Sequence, residues 1–257
     1  MSINKSGFGL VLLIAAGLSM GMLFSSCADR QKAIEQAQLH YKMAIDLDVK
    51  GENTQALAAA LRAEKYNSRD PEVQHLLGIM FIRNKMYDRA EQHLKKALDL
   101  NKEYSEASTA LSYLYIEKNM FDEAIEQGLK AVENITYDTP ERAYNNVGWA
   151  YYKKGDINQA TNYFRKALLH NKDFFLPHMH LANIYYENGK YSDAKKEYQA
   201  SIKGCGECAN LYYQLGLTLL KLKDKAEAVK TFEQCKNTSK QDEDFAEKCS
   251  KKLAILR

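Results

Sequence analysis

A 34-residue period in the small residues is what most constrains this chain. Ala56, Ala90, Ala124, Ala160, Ala194 and Ala228 fall 34, 34, 36, 34 and 34 residues apart. Twelve residues before each lies another small residue: Ala44, Gly78, Ser112, Gly148, Ala182 and Gly216. Two helices approach to backbone contact only where neither carries a large side chain. The paired small positions therefore predict six hairpins of two close-packed helices.

Neighbouring positions agree. Three residues after the first small one sits Leu47, Phe81, Tyr115, Tyr151, Tyr185 or Leu219, and just before it Met43, Leu77, Leu111, Val147, Leu181 or Leu215. That spacing is one face of a helix with 3.6 residues per turn. Seven residues after the central Ala comes Ala63, Ala97, Ala131, Ala167, Ser201 or Cys235, where the second helix meets the next hairpin. Turns are marked by Gly51, Asn84 with Lys85, Lys118 with Asn119, Gly155, Gly189, and Lys223 with Asp224.

The pattern resembles the tetratricopeptide repeat, a 34-residue unit with small, aromatic and Ala positions at these offsets. The resemblance implies an all-α fold: a right-handed superhelical solenoid of six helix-turn-helix repeats with a C-terminal capping helix. The repeats are expected over residues 37–70, 71–104, 105–140, 141–174, 175–208 and 209–242, and the cap over 243–257. Ala60 and Gly128 stand where a bulky residue is usual, so those two second helices are expected to be the least well packed. Lys102, Lys172 and Lys240 replace the prolines usual at unit ends.

The N-terminus is a different kind of segment. Lys5 gives a positive start, Phe8 to Phe24 is an apolar run of 17 residues, and Leu23-Phe24-Ser25-Ser26-Cys27 closes it. This resembles the lipobox of a bacterial lipoprotein, with Phe24 where Leu is usual. The resemblance implies a signal peptide over 1–26, diacylation of Cys27 as the new N-terminus, and a short linker over 27–36. Two acyl chains anchor a protein stably where one does not. Ala28 follows the cysteine in place of the Asp that signals inner-membrane retention, which points to the outer membrane, lipid-anchored on its periplasmic face.

A charged fraction of 27% and a formal net charge of +3 describe an ordinary globular body with no basic field for nucleic acid. Besides Cys27 there are four cysteines, Cys205, Cys208, Cys235 and Cys249. An even cluster in an exported chain suggests disulfides, and the sequence allows three pairings. Cys235 faces the next helix and Cys249 falls on it, so a bond between them would fasten the cap. Zinc needs four convergent ligands, and no second close cysteine pair supplies them. No thioredoxin-like strand pattern surrounds Cys205 and Cys208.

No catalytic constellation emerges, and neither a cofactor, a metal nor a small-molecule substrate is expected. Gly189-Lys190 has Ile184 where a phosphate loop needs its first glycine. His178 and His180 are two apart and so point to different sides of a helix, with His178 at a core-facing repeat position. Function is therefore expected on the inner faces of the first helices. Tyr41, Ile45, His75, Ile79, Ile82, Tyr113, Ile116, Asn145, Trp149, Tyr152, Met179, Tyr186, Leu217 and Leu220 form an apolar and aromatic groove for a protein partner. Trp149 and Tyr152 are its leading anchors. No inward Lys pairs with Asn145 or Asn183 as a carboxylate clamp would need.

A lipobox, repeats running to the C-terminus and a two-residue expansion before the fourth repeat, Thr139 to Gly148, resemble the type IV pilus pilotins of the PilF, PilW and Tgl kind. The cysteine pairs are similar to those of the Tgl branch. The resemblance implies an outer-membrane lipoprotein that binds secretin subunits and promotes their localisation and multimerisation, with the early repeats as the binding surface. A general periplasmic scaffold for another envelope complex is the alternative, and a thiol oxidoreductase using Cys205 and Cys208 a third.

Overall fold

The computed structural model describes residues 29–206, 208–239 and 243–256. The signal segment and Cys27 lie outside the described residues. Within them the chain is all-α, without a strand. The first helix, α1, covers residues 29–49. It is followed by α2 (Asn53–Tyr66), α3 (Pro71–Arg83), α4 (Tyr87–Leu100), α5 (Ser105–Glu117), α6 (Phe121–Glu133) and α7 (Pro140–Lys153). The remainder are α8 (Ile157–His170), α9 (Phe175–Glu187), α10 (Tyr191–Cys205), α11 (Ala209–Lys221), α12 (Lys225–Thr238) and α13 (Glu243–Leu256). Contacts divide the chain into two compact units, one ending at Ala107 and the other beginning at Ser108. No helix among the described residues is long and apolar enough to cross a membrane.

In the first unit α3 packs on α2 and α4; in the second, each helix from α6 to α12 packs on its successor. The small residues of the period are where the two helices of a hairpin touch. A Cβ on Gly78 would lie 2.5 Å from Leu94, one on Gly148 2.7 Å from Phe164, and one on Gly216 2.7 Å from Phe232. Ser112 fills the same role with its hydroxyl satisfied, donating to the Ala124 carbonyl at 2.7 Å. Ala56, Ala90, Ala124, Ala160, Ala194 and Ala228 have no exposed surface.

Ala60 and Gly128 are not weak points. Ala60 is fully buried. A Cβ on Gly128 would meet Val147 at 2.5 Å and the Ser112 hydroxyl at 3.0 Å, so the glycine lets α6 approach α5 and α7 closely. Met43 departs in the other direction. Its equivalents Leu77, Val147, Leu181 and Leu215 are buried, whereas Met43 is 42% and Leu39 51% exposed. Among the described residues no helix precedes α1 to cover them.

One turn closes all six hairpins. Gly51, Lys85, Asn119, Gly155, Gly189 and Lys223 each adopt a positive φ, between 57° and 85°. The following amide then donates back into the first helix: Met86 to Phe81 at 2.8 Å, Asp156 to Tyr151 at 3.0 Å, Asp224 to Leu219 at 3.0 Å. This is the left-handed helix stop that glycine favours. A side chain there costs about 1–2 kcal/mol. Lys223→Gly is therefore expected to raise the thermal midpoint by a few degrees, read by circular dichroism. A fall would show that the lysine makes a compensating contact.

Candidate functional site on the first helices

In the first unit, Tyr41 and Ile45 lie on α1 and His75, Ile79 and Ile82 on α3. Ile45 is 40% exposed, while Tyr41, His75, Ile79 and Ile82 are half-buried. His75 meets Tyr104 edge-on at 5.2 Å, and its Nδ1 shares a hydrogen bond with the Tyr104 hydroxyl at 3.3 Å. Burial pushes the His75 pKa down to about 4, so the ring is neutral. Burial, with the charges of Glu72 and Asp70, raises the Tyr41 phenol. Tyr104 is likewise raised, by burial first and then by neighbours including Tyr41 and Glu106. This face is an uncharged aromatic and aliphatic floor with carboxylates at its edge.

In the second unit the expected groove residues divide. Tyr113 is 44% exposed, but Ile116 is 6% exposed and belongs to the core. Asn145 is also buried, its Oδ1 without a hydrogen-bond partner among the described residues. It cannot reach a ligand without a local opening. Its repeat equivalent Thr109 is buried too, sharing a hydrogen bond with the Tyr137 hydroxyl at 2.9 Å. Met179, Tyr186, Leu217 and Leu220 pack as half-buried side chains on the core around Phe232, Leu215 and Tyr198.

Trp149 and Tyr152 form the most organised part of the surface. Three helices, α7, α8 and α9, line up four rings. Tyr152 stacks on Trp149 at 5.0 Å with 8° between planes, Trp149 on His180 at 4.4 Å, and His180 on Phe164 at 4.8 Å. Lys153 Nζ lies 5.0 Å from the Trp149 ring centre, a cation–π contact. The Tyr152 hydroxyl donates to both Glu187 carboxylate oxygens, at 3.0 and 3.1 Å. Trp149 is thus fixed from both sides and presents its remaining edge without a rotamer to freeze, which suits an interface anchor.

His180 is a residue whose depth the spacing did not indicate. It is the buried member of its pair, and burial takes its pKa down to about 4. His178 is the less buried one, its side chain 15% exposed. Its Nδ1 bonds Glu197 at 2.6 Å and its Nε2 the Lys172 carbonyl at 2.9 Å. The Glu197 hydrogen bond outweighs burial and raises the His178 pKa. Both rings are largely enclosed, His178 between α9 and α10 against Glu197 and His180 against Phe164.

The cysteines come together in two pairs. The sulfurs of Cys205 and Cys208 meet across the turn between α10 and α11, with Cα atoms 6.0 Å apart. Those of Cys235 and Cys249 join α12 to α13, with Cα atoms 6.2 Å apart. Both separations lie within the span of a disulfide. Among the described residues no three His, Cys, Asp or Glu side chains converge as a metal site would require.

Hairpins built on paired small residues, a shared left-handed turn and an aromatic inner face define a helical repeat protein of the protein-interaction class. The chain belongs to the tetratricopeptide repeat family, whose models match residues 41–103, 81–141, 141–174 and 179–240. Among characterised relatives, it is 22% identical to the type IV pilus assembly protein PilF of Pseudomonas aeruginosa, over 83% of this chain and 85% of that protein. It is 24% identical to the BBSome complex member BBS4 of Bos taurus over 76% of this chain, a match that spans only 35% of BBS4. Among solved structures, that of P. aeruginosa PilF superposes with a TM-score of 0.69 at 18% identity, covering 86% of this chain and 99% of PilF. PilW, a widely conserved type IV pilus biogenesis factor, gives 0.70 at 19% identity over 82% and 96%. A tetratricopeptide repeat protein from Parabacteroides merdae gives 0.64 at 18% identity over 98% and 99%. These likenesses establish the fold.

Proposed function

We propose that this protein is a non-enzymatic, lipid-anchored scaffold of type IV pilus biogenesis, held through Cys27 on the periplasmic face of the outer membrane. Its first-helix faces bind secretin subunits and promote their localisation and multimerisation. The observation that carries the reading is one of extent: the alignment with PilF takes in 85% of that protein, while BBS4 is matched over 35% of its length. Tethering then raises the local concentration of captured subunits without any chemistry. In that compartment the two cysteine pairs are oxidised, and Cys235–Cys249 fastens the terminal helix over the last hairpin, where a repeat stack needs a cap.

The test is the amount of heat- and detergent-resistant secretin multimer in outer-membrane fractions. Deletion of the chain is expected to abolish it, and Cys27→Ala to mislocalise both proteins. Trp149→Ala should weaken secretin capture by about 2 kcal/mol, roughly thirtyfold, as removal of an interface anchor does. Ile79→Glu should act similarly with helicity unchanged. Normal multimers in all four strains would refute the proposal. They would favour a scaffold for another envelope complex.

A further inference from the structure

On the side of the fourth and fifth hairpins formed by α8 and the end of α9 lies a cleft of about 410 Å³. Nothing in the interaction surface above uses it. Its volume falls in the roughly 300–1,000 Å³ range of small-molecule sites. We propose that this cleft binds an acidic saccharide, a pyranose ring carrying a carboxylate.

The repeat itself shows that the cleft is left open. Between the fifth and sixth hairpins, Lys195 and Glu227 close the equivalent furrow with an ion pair of 2.6 Å. The residues 34 positions earlier are Thr161 and Asp193, which make no such pair. Thr161 instead lines the cleft beside Asn158 and Asn162 on α8. None of these three side chains has a hydrogen-bond partner among the described residues. They offer both donors and acceptors, which is what ring hydroxyls and an acetamido group require.

Charge points the same way. Arg165 and Lys190 line the cleft and no carboxylate does. Arg165 is already oriented, its Nη2 donating to the Tyr185 hydroxyl at 3.1 Å. A guanidinium so fixed suits a planar carboxylate. Ile157, Ile184 and the Tyr185 ring supply an apolar floor against which the C–H face of a sugar can pack.

Lys190 adds an independent sign. It occupies the N-cap of α10 and makes no side-chain cap bond. At the same repeat position Asp156 and Asp224 accept from the amides of Gln159 and Glu227 at 3.0 and 3.1 Å, while Glu52, Met86 and Met120 make no side-chain cap bond either. A cation at a helix start opposes the helix dipole. What sets Lys190 apart among the six N-cap residues at this position, Glu52, Met86, Met120, Asp156, Lys190 and Asp224, is its positive charge, and a charge set against its own helix is expected where it serves a ligand.

The experiment uses the full chain in detergent micelles, with glucuronate and N-acetylmuramate as probes in saturation-transfer NMR and calorimetry. Both are expected to bind in the millimolar range. N-acetylglucosamine, inorganic phosphate and an Asp-Glu dipeptide should bind about tenfold more weakly, since each lacks either the charge or the ring. Arg165→Gln should weaken glucuronate about tenfold, the loss of one charge-assisted hydrogen bond. Lys190→Asp should abolish binding while raising the thermal midpoint, separating ligand recognition from stability. Phosphate or the dipeptide binding as well as glucuronate, or an Arg165→Gln variant that binds normally, would overturn the proposal. Secretin multimerisation is read separately and is expected to survive both substitutions.

Discussion

Phe164→Ala is expected to destabilise the second unit by about 3–5 kcal/mol, the range for removing a fully enclosed phenylalanine. The side chain has no exposed surface and packs with Ala160, Leu181 and Ile184. It sits against Gly148, where α7 and α8 come closest, and its ring forms one end of the stack through His180. Neither backbone can move in to close the hole, because the approach is already at glycine contact. Phe164→Leu keeps most of the volume and should cost roughly 1 kcal/mol. Urea unfolding followed by far-ultraviolet circular dichroism measures both. A loss under 1 kcal/mol for the alanine variant would contradict the packing described for the fourth hairpin.

Mild acid should destabilise both units, through histidines that folding holds neutral. His75 and His180 have folded pKa values of about 4 against 6.5 when unfolded. Between those values the unfolded chain binds a proton that the folded chain refuses. The stability is complete above about pH 6.5 and is lost as the pH falls toward 4, by about 2 kcal/mol per histidine at pH 5. His178 works against this. Its pKa is raised by Glu197, so its contribution is present below pH 6.5 and fades as the pH rises through its folded value. His93 in the first unit is also lowered, chiefly by burial, and adds to the loss. Three groups losing stability against one gaining it leave a net acid sensitivity. His180→Phe should remove the second unit's share, because a phenyl ring keeps the stack and has no nitrogen to leave unpaired. His180 Nδ1 has no partner among the described residues. Equal urea midpoints at pH 7.5 and pH 5 would disprove the assignment.

What could be read from the sequence was whatever the period repeats. Gly78, Gly148 and Gly216 against Leu94, Phe164 and Phe232 are one contact written three times, and spacing alone predicts it. The turn at Gly51, Lys85, Asn119, Gly155, Gly189 and Lys223 is legible for the same reason. Period fixes the face a residue occupies, but not its depth. Depth depends on the size of side chains on the neighbouring hairpin, so Ile116 and Asn145 sank into the core while Tyr113 stayed out. Gly128 was misread because its partners Val147 and Ser112 come from two different helices. The saccharide cleft has no signature within one repeat. It emerges from a difference between repeats, Thr161 and Lys190 against Lys195 and Asp224, which a search for common pattern discards.

The stack around Trp149 gives the molecule an optical reporter of its own. Trp149 is the only tryptophan in the chain, and it lies 4.4 Å from the His180 ring and 5.0 Å from Tyr152. Imidazole quenches indole emission far more strongly when protonated than when neutral. Proton uptake by a buried ring and capture of a partner at the exposed edge would therefore register in one emission band. The unlabelled protein would report either event, in either order, as it happened.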